Sequence, residues 1–102
     1  MRWGVVAALP RELKPTLARL RAKRLKNGFH EAGPFLFAAG GVGATKAERC
    51  ALAMAEQGVE VMVSTGFAGA LVAGLDPGTL VLGGTAGVTL RTARAAAPDA
   101  RE

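Results

Sequence analysis

The residues best suited to ligand chemistry lie in a turn of small residues that follows an apolar run. Residues 64–71 read Ser-Thr-Gly-Phe-Ala-Gly-Ala-Leu and come directly after residues 59–63, Val-Glu-Val-Met-Val. An apolar, β-branched run that ends in such a turn is typical of a buried strand opening into a loop. Glycine and alanine let a ligand approach the backbone closely, and the N–H groups of Ala68 and Gly69 would be available to an anion.

Two other segments repeat this pattern of a strand followed by a loop. Residues 35–39 run into Gly40-Gly41-Val42-Gly43, and residues 3–9 end at Pro10-Arg11-Glu12. Open α/β sheets bind ligands at the carboxyl ends of their strands, so three such ends predict one binding region. From its position alone, Glu12 is an ordinary carboxylate in a first helical turn, where the helix dipole favours negative charge.

The elements that must position these turns are predicted first from the amino-terminal half. Residues 3–9 form a buried strand, and Pro10 begins a helix with Leu13, Leu17 and Leu20 on one face. Pro15 interrupts that helix, so either the regular helix begins near Lys14 or it kinks there. Asn27-Gly28 predicts a hairpin turn.

The remaining elements follow from residue 35 onward. We predict a strand over residues 35–39, a helix over 44–57 capped by Gly58, a strand over 59–64 and a strand over 79–82 after a turn at 76–78. The inner side of the helix is predicted to carry Ala47, Ala51, Met54 and Ala55. This order predicts a three-layer α/β sandwich with a central mixed β-sheet.

Composition limits the class of protein. The 102 residues carry a formal charge of +5, and 7 of the 13 basic residues fall between Arg11 and Lys26. This segment is either the solvated face of a helix or a patch for nucleic acid, and the absence of interleaved aromatic residues disfavours a stacking platform. A single cysteine, Cys50, excludes an internal disulfide and fits the cytoplasm. No stretch predicts a signal peptide or a membrane span.

Three segments together resemble the amino-terminal half of the nucleoside phosphorylase superfamily, the branch with methylthioadenosine/S-adenosylhomocysteine nucleosidases and purine and uridine phosphorylases. Residues 4–13 resemble the family's first strand and acidic turn. Residues 41–43 resemble its glycine loop, and residues 64–71 with 75–81 resemble its Thr-Gly-Ser-Ala-Gly-Gly-Leu turn and the strand after it. The similarity extends from residue 1 to about residue 83.

The resemblance implies cleavage of the N-glycosidic bond of a purine nucleoside, by water or by phosphate. Glu12 matches the glutamate that activates the hydrolytic water, and a carboxylate also stabilises a developing ribosyl cation. Further matched positions are implied to bind the substrate: Ala8, Leu9, Val42, Gly43, Phe67, Ala68 and Gly69. No cofactor and no metal are implied, with phosphate as a possible co-substrate.

Phe67 departs from the family pattern, because many relatives carry serine there to hold water or phosphate. Phenylalanine cannot donate that hydrogen bond, but it can wall an apolar pocket for a larger or more apolar substrate. His30 and Asp76 are interpreted as a strand or surface histidine and a turn residue.

The family's second half normally supplies a Glu-Met-Glu ribose clamp and a Ser-Asp pair that protonates the base, and neither motif occurs here. We therefore expect a nucleoside phosphorylase-like domain over residues 1–84, a polar tail over 85–102, and catalysis that is incomplete in this chain alone. An open sheet edge would favour a homo-oligomer. The alternative is a non-catalytic interaction domain that self-associates through that edge.

Overall fold

In the computed structural model, residues 1–67, 73–74, 79–81 and 83 are described. The chain divides into two compact units, Met1–Ala68 and Gly69–Glu102. The helices and strands of the first unit are, in order, β1 (Trp3–Ala7), α1 (Pro10–Leu20), β2 (Lys23–Arg24), β3 (His30–Ala32), β4 (Phe35–Ala39), α2 (Ala44–Glu56) and β5 (Val61–Ser64). The predicted division at residue 84 stays a prediction.

The five strands form one mixed sheet in the order β2-β3-β4-β1-β5. β1 lies between β4 and β5 and pairs with both in parallel, whereas β2, β3 and β4 pair in antiparallel fashion. The carboxyl ends of β1, β4 and β5 therefore meet at one edge of the sheet. This is the end at which open α/β sheets bind ligands.

The helices cover opposite faces of this sheet. On one face, Met54 of α2 packs with Val6, Leu36 and Ala38. On the other face, Leu13 of α1 packs with Ala7 and Phe37, so the core consists of two separate clusters. Successive strand side chains point to opposite faces, which places alternate residues of β1 and β4 in alternate clusters. The predicted sandwich with a central mixed sheet is confirmed.

Gly4 lets α2 lie close to the centre of the sheet. A Cβ at this position would lie 2.8 Å from Met62 Sδ and 2.9 Å from both Met54 Sδ and Val59 Cγ1. Those distances are shorter than van der Waals contact, so any larger residue would displace these three side chains, of which Met54 is fully buried.

Helix α1 begins at Pro10, not near Lys14, and Pro15 lies inside it. Pro10 is well suited to a first helical position because its missing N–H would be unpaired there. The helix ends at Arg21, whose left-handed backbone (φ 52°) places its N–H on the Ala18 carbonyl oxygen at 3.2 Å.

Helix α2 matches the predicted range to within one residue. Met54 is fully buried, whereas Ala47 and Ala55 are exposed, so the prediction that both are buried on the inner side was wrong. Cys50 lies on that side instead and packs against the cluster that contains Met54. Gly58, at φ +83°, donates its N–H to Ala55 and follows the end of the helix as predicted.

Two short hairpins build the outer strands. The Asn27-Gly28 turn links β2 to β3, and Asn27 Oδ1 accepts the N–H of Phe29 at 3.0 Å. The second hairpin turns at Gly33-Pro34 between β3 and β4, and the sequence reasoning did not identify it.

Strand β5 begins at Val61, two residues later than predicted, because Val59 donates its N–H to Met54 at the end of α2. The predicted turn at 76–78 lies outside the described residues, as does residue 82 of the predicted last strand. The described residues 79–81 do not form that strand: Thr79 and Leu80 are outside regular structure and Val81 forms a single bridge.

Candidate functional site

The loops after β1, β4 and β5 are joined to one another by backbone hydrogen bonds. Gly40 donates to the Ala7 carbonyl at 2.8 Å, Gly41 to that of Ala8 at 3.0 Å, and Thr65 to that of Val6 at 2.9 Å. These bonds continue the parallel pairing past the ends of the strands. The three predicted loops therefore begin side by side.

The Glu12 carboxylate lies between two of these loops and accepts two backbone hydrogen bonds. Its Oε1 accepts the N–H of Leu9 at 2.9 Å, and its Oε2 accepts the N–H of Phe67 at 2.8 Å. One donor belongs to the loop after β1 and the other to the loop after β5, so a different loop holds each of the two carboxylate oxygens. A carboxylate fixed in this way is oriented before any ligand arrives.

The contact with Leu9 is one half of a capping box. Glu12 is the third residue of α1 and its carboxylate accepts the N–H of Leu9, the residue before the helix. In a full capping box, a serine or threonine at the cap would accept the N–H of Glu12 in return. Leucine has no acceptor, and that N–H bonds to the Leu9 carbonyl at 3.1 Å instead.

These hydrogen bonds also keep Glu12 ionised. The N–H of Phe67 and then that of Leu9 hold the pKa of the carboxyl below its ordinary value of 4.5, and the positive charge of Arg11 acts in the same direction. Partial desolvation opposes them with a smaller effect. Hydrogen bonds to the charged form favour that form, so Glu12 is a carboxylate at neutral pH.

Gly66 makes the contact between Glu12 and the β5 loop possible. A Cβ at Gly66 would overlap Oε2 of Glu12. The glycine in the Thr-Gly-x-Ala-Gly turn is therefore required for close approach, here by a side chain of the same protein.

Glu12 faces a cleft with a volume of about 440 Å³, which we call the Glu12 cleft. Of the described residues that line this cleft, Glu12 is the charged one. The cleft is lined by residues from the three loops, the ends of β1 and β5 and the first turn of α2: Val6, Ala7, Ala8, Glu12, Gly41, Gly43, Ala44, Ala47, Ser64, Thr65, Gly66 and Phe67.

The predicted site residues are partly brought together. Ala8, Gly43 and Phe67 line the Glu12 cleft together with Glu12. Leu9 contributes its backbone N–H to Glu12 but does not line this cleft.

Val42 does not line the cleft either, and its side chain is 67 % exposed. Only its neighbours Gly41 and Gly43 reach the cleft. Ala68 and Gly69 lie outside the described residues.

Phe67 is 78 % exposed, so its ring borders the cleft without enclosing it. Its backbone N–H, which sequence reasoning did not single out, is the group that contacts Glu12. The sequence signal for this contact is the turn of small residues, because a glycine such as Gly66 indicates that another group lies close to the backbone there.

A second cleft, of about 730 Å³, lies beside the first, and we call it the Lys46 cleft. Ala8 and Gly41 line both clefts, so they share a wall. Lys46 and Arg49 of α2 are the charged residues that line it, and sequence reasoning missed both. The other lining residues come from the starts and ends of neighbouring elements: Leu9, Pro10, Asn27, Gly28, Phe29, Ala38, Ala39, Gly40 and Cys50.

Cys50 is poorly suited to act as a nucleophile in this cleft, because burial raises the pKa of its thiol. A thiol that stays protonated is a poor nucleophile and metal ligand.

Within the described ranges, no three His, Cys, Asp or Glu side chains are grouped so as to hold a metal ion. The helices of this described part are too short and polar to cross a membrane.

Comparison with protein families adds an independent observation. The family model for the phosphorylase superfamily matches residues 2–95. This match includes Glu12, both small-residue loops and all residues of the two clefts. No curated protein and no solved structure matches the chain at a significant level.

Proposed function

The chain belongs to the phosphorylase superfamily, and we propose that it takes part in cleaving the N-glycosidic bond of a purine nucleoside at the Glu12 cleft. The observation that carries this proposal is the Glu12 carboxylate, which two backbone N–H groups from different loops hold at the strand ends.

A fixed carboxylate supplies two of the effects that this reaction needs. As the C1′–N bond breaks, positive charge develops on the ribose, and a nearby negative charge stabilises it. A water molecule that attacks C1′ must also lose a proton, which the carboxylate can accept. The bonding electron pair leaves with the base.

Glu12 favours water over phosphate as the attacking group. An ionised carboxylate attracts a water proton but repels a phosphate dianion. The Phe67 N–H, one candidate donor to a phosphate oxygen, already donates to Glu12. We therefore propose hydrolysis, with phosphorolysis as the measurable alternative.

The proton that the departing base takes up must come from a different acid. Among the described residues Glu12 is the only acidic one that lines its cleft, and its lowered pKa keeps it ionised at neutral pH, so it has no proton to give to the base. Cleavage thus needs a proton donor outside the residues of this cleft, in agreement with a site that is completed by further residues.

The proposal is tested by incubating the protein with adenosine, inosine, methylthioadenosine and adenosylhomocysteine, each with and without phosphate. Any release of free base should occur without phosphate and should fall about 100-fold or more in Glu12→Gln. Glutamine keeps the size of the side chain but cannot accept the proton.

Glu48→Gln is the matched control. Glu48 is exposed on α2 and lines neither cleft. Equal activity of wild type and Glu12→Gln would contradict a catalytic role for Glu12. Saturable nucleoside binding without turnover would support nucleoside recognition alone.

A second candidate function is self-association through β5. Among the described residues β5 is the last strand of the sheet order, and Met62 within it is 39 % exposed. Strands at a sheet edge present backbone groups that can pair with another chain.

This second function predicts sedimentation that depends on protein concentration, no nucleoside binding, and indifference to Glu12→Gln. Met62→Lys should weaken the association, since lysine on an edge strand opposes pairing. Leu20→Lys, at a 47 % exposed position on α1, serves as the control. A monomer at all concentrations would contradict it.

A further inference from the structure

The Lys46 cleft differs from the Glu12 cleft in the sign of its charge. Lys46 and Arg49 line it, and none of its described lining residues is acidic. Within residues 1–67 the salt bridge that forms is Arg2–Glu31, so neither Lys46 nor Arg49 has a carboxylate partner there. Two cations without such a partner at one cleft attract an anionic group.

The glycines after β4 let α2 lie close to them, and this brings Lys46 to the wall that the clefts share. Gly41 has φ +100°, and a Cβ there would lie 2.7 Å from Lys46 Cδ. The aliphatic chain of Lys46 therefore lies across Gly41, which lines both clefts. Gly40 approaches α2 equally closely, with its added Cβ 2.8 Å from Cys50 Cβ.

The two clefts are adjacent, since Ala8 and Gly41 line both, and the charged residues that line them have opposite signs. A neutral sugar and base in the Glu12 cleft would avoid the repulsion that an anion meets there. An anionic group attached to the same ligand would lie beside Lys46 and Arg49. Leu9 and Phe29 also line this second cleft and offer apolar contact to the linking atoms.

We propose that the Lys46 cleft binds an anionic group that is covalently attached to the nucleoside, so that the preferred ligand is a nucleoside carrying a phosphate or similar anion. This inference rests on the proposed function, because the Glu12 cleft must hold the nucleoside. Lys46 and Arg49 act here as binding residues that select the ligand.

The experiment compares adenosine with adenosine 5′-monophosphate by isothermal titration calorimetry at low salt. For the wild-type protein we expect the monophosphate to bind about tenfold more tightly, since hydrogen bonds to charged groups are stronger than neutral ones. In the double variant Lys46→Gln/Arg49→Gln, the ratio of the two dissociation constants should fall toward one.

The matched control is Arg19→Gln/Arg21→Gln, which removes two positive charges from the end of α1 that lines neither cleft. It should leave the ratio unchanged, and an equal effect of both double variants would overturn the proposal. Thermal melting monitored by circular dichroism verifies that each variant is folded.

A third arm distinguishes an attached anion from a free one. If inorganic phosphate binds with the same dependence on Lys46 and Arg49, and the monophosphate gains nothing over adenosine, the anion is a separate ligand and the proposal is overturned. Tight adenosine binding without any preference for the monophosphate overturns this inference alone. If neither adenosine nor its monophosphate binds, the proposed function is overturned as well.

Discussion

The two clefts share a wall but are constructed in different ways. In the Glu12 cleft the charged group is held by two backbone N–H groups from separate loops. In the Lys46 cleft the charged groups are exposed side chains of one helix, without a carboxylate partner in residues 1–67. A fixed group suits chemistry that needs geometry, whereas flexible cations suit attraction of a ligand.

The strongest test of this contrast is to displace Glu12 without changing it. Gly66→Ala places a methyl group where Oε2 of Glu12 lies, so the carboxylate must move. We expect base release to fall about 100-fold, because small misplacements of a catalytic group are costly.

Gly83→Ala is the control for Gly66→Ala, since a Cβ at Gly83 meets no atom within 4 Å. The preference for adenosine 5′-monophosphate over adenosine should survive in the Gly66→Ala protein. Undiminished base release by that protein would show that the position of Glu12 is unimportant.

Gly41→Ala should affect both clefts, because Gly41 lines each of them. The added Cβ meets Lys46 Cδ, and φ +100° disfavours any residue other than glycine. We expect a loss of about 1–3 kcal/mol in the free energy of unfolding, together with weaker binding of the monophosphate.

Gly58→Ala separates these two effects of Gly41→Ala. Gly58 also has positive φ (+83°), but nothing lies within 4 Å of an added Cβ. It should lower stability by a similar amount and leave ligand affinity unchanged. Equal affinities in Gly41→Ala and wild type would contradict a role for Gly41 in the shared wall.

Acidification should remove the stability that the ionised Glu12 carboxylate contributes to the fold. The folded-state pKa of Glu12 lies below its ordinary value of 4.5, so its ionised form stabilises the fold. That contribution is fully present above pH 4.5 and is lost as pH falls through the lower, folded-state pKa.

Denaturant unfolding of wild type and Glu12→Gln across this range measures the effect. The wild-type protein should be the more stable at neutral pH, and the difference should shrink steadily as the solution becomes more acidic than pH 4.5. A difference that grows on acidification would have the wrong sign.

Added salt should weaken ligand binding at the Lys46 cleft, and this is the smallest of the expected effects. Raising the ionic strength from about 0.05 M to about 0.5 M shortens the screening length and should weaken binding of the monophosphate a few-fold. Adenosine carries no charge, and its affinity should change little. An equal response of both ligands would contradict the assignment of the charge to this cleft.

The local elements were predictable where the sequence marks both of their ends. β4 has the predicted bounds because its apolar residues stand between Gly33-Pro34 and Gly40-Gly41. β1 is two residues shorter than predicted, since the Leu9 N–H turns to Glu12 and no longer pairs in the sheet.

The site itself was predictable only as a region. Three loops after strands, two of them rich in small residues, indicated where ligands would approach, and the family resemblance singled out Glu12. The hydrogen bond from Phe67 to Glu12 joins residues 55 positions apart, and no local pattern encodes it. Lys46 and Arg49 were missed because two cations on a helix face resemble any solvated surface, until β4 is seen beside them.

A carbon-13 NMR titration of the Glu12 carboxyl, with and without adenosine, tests the central claim most directly. The account predicts a pKa below 4.5 for this group and a shift of its signal when adenosine is added, with no shift at Glu48. A carboxyl that titrates at its ordinary value and ignores adenosine would contradict the account.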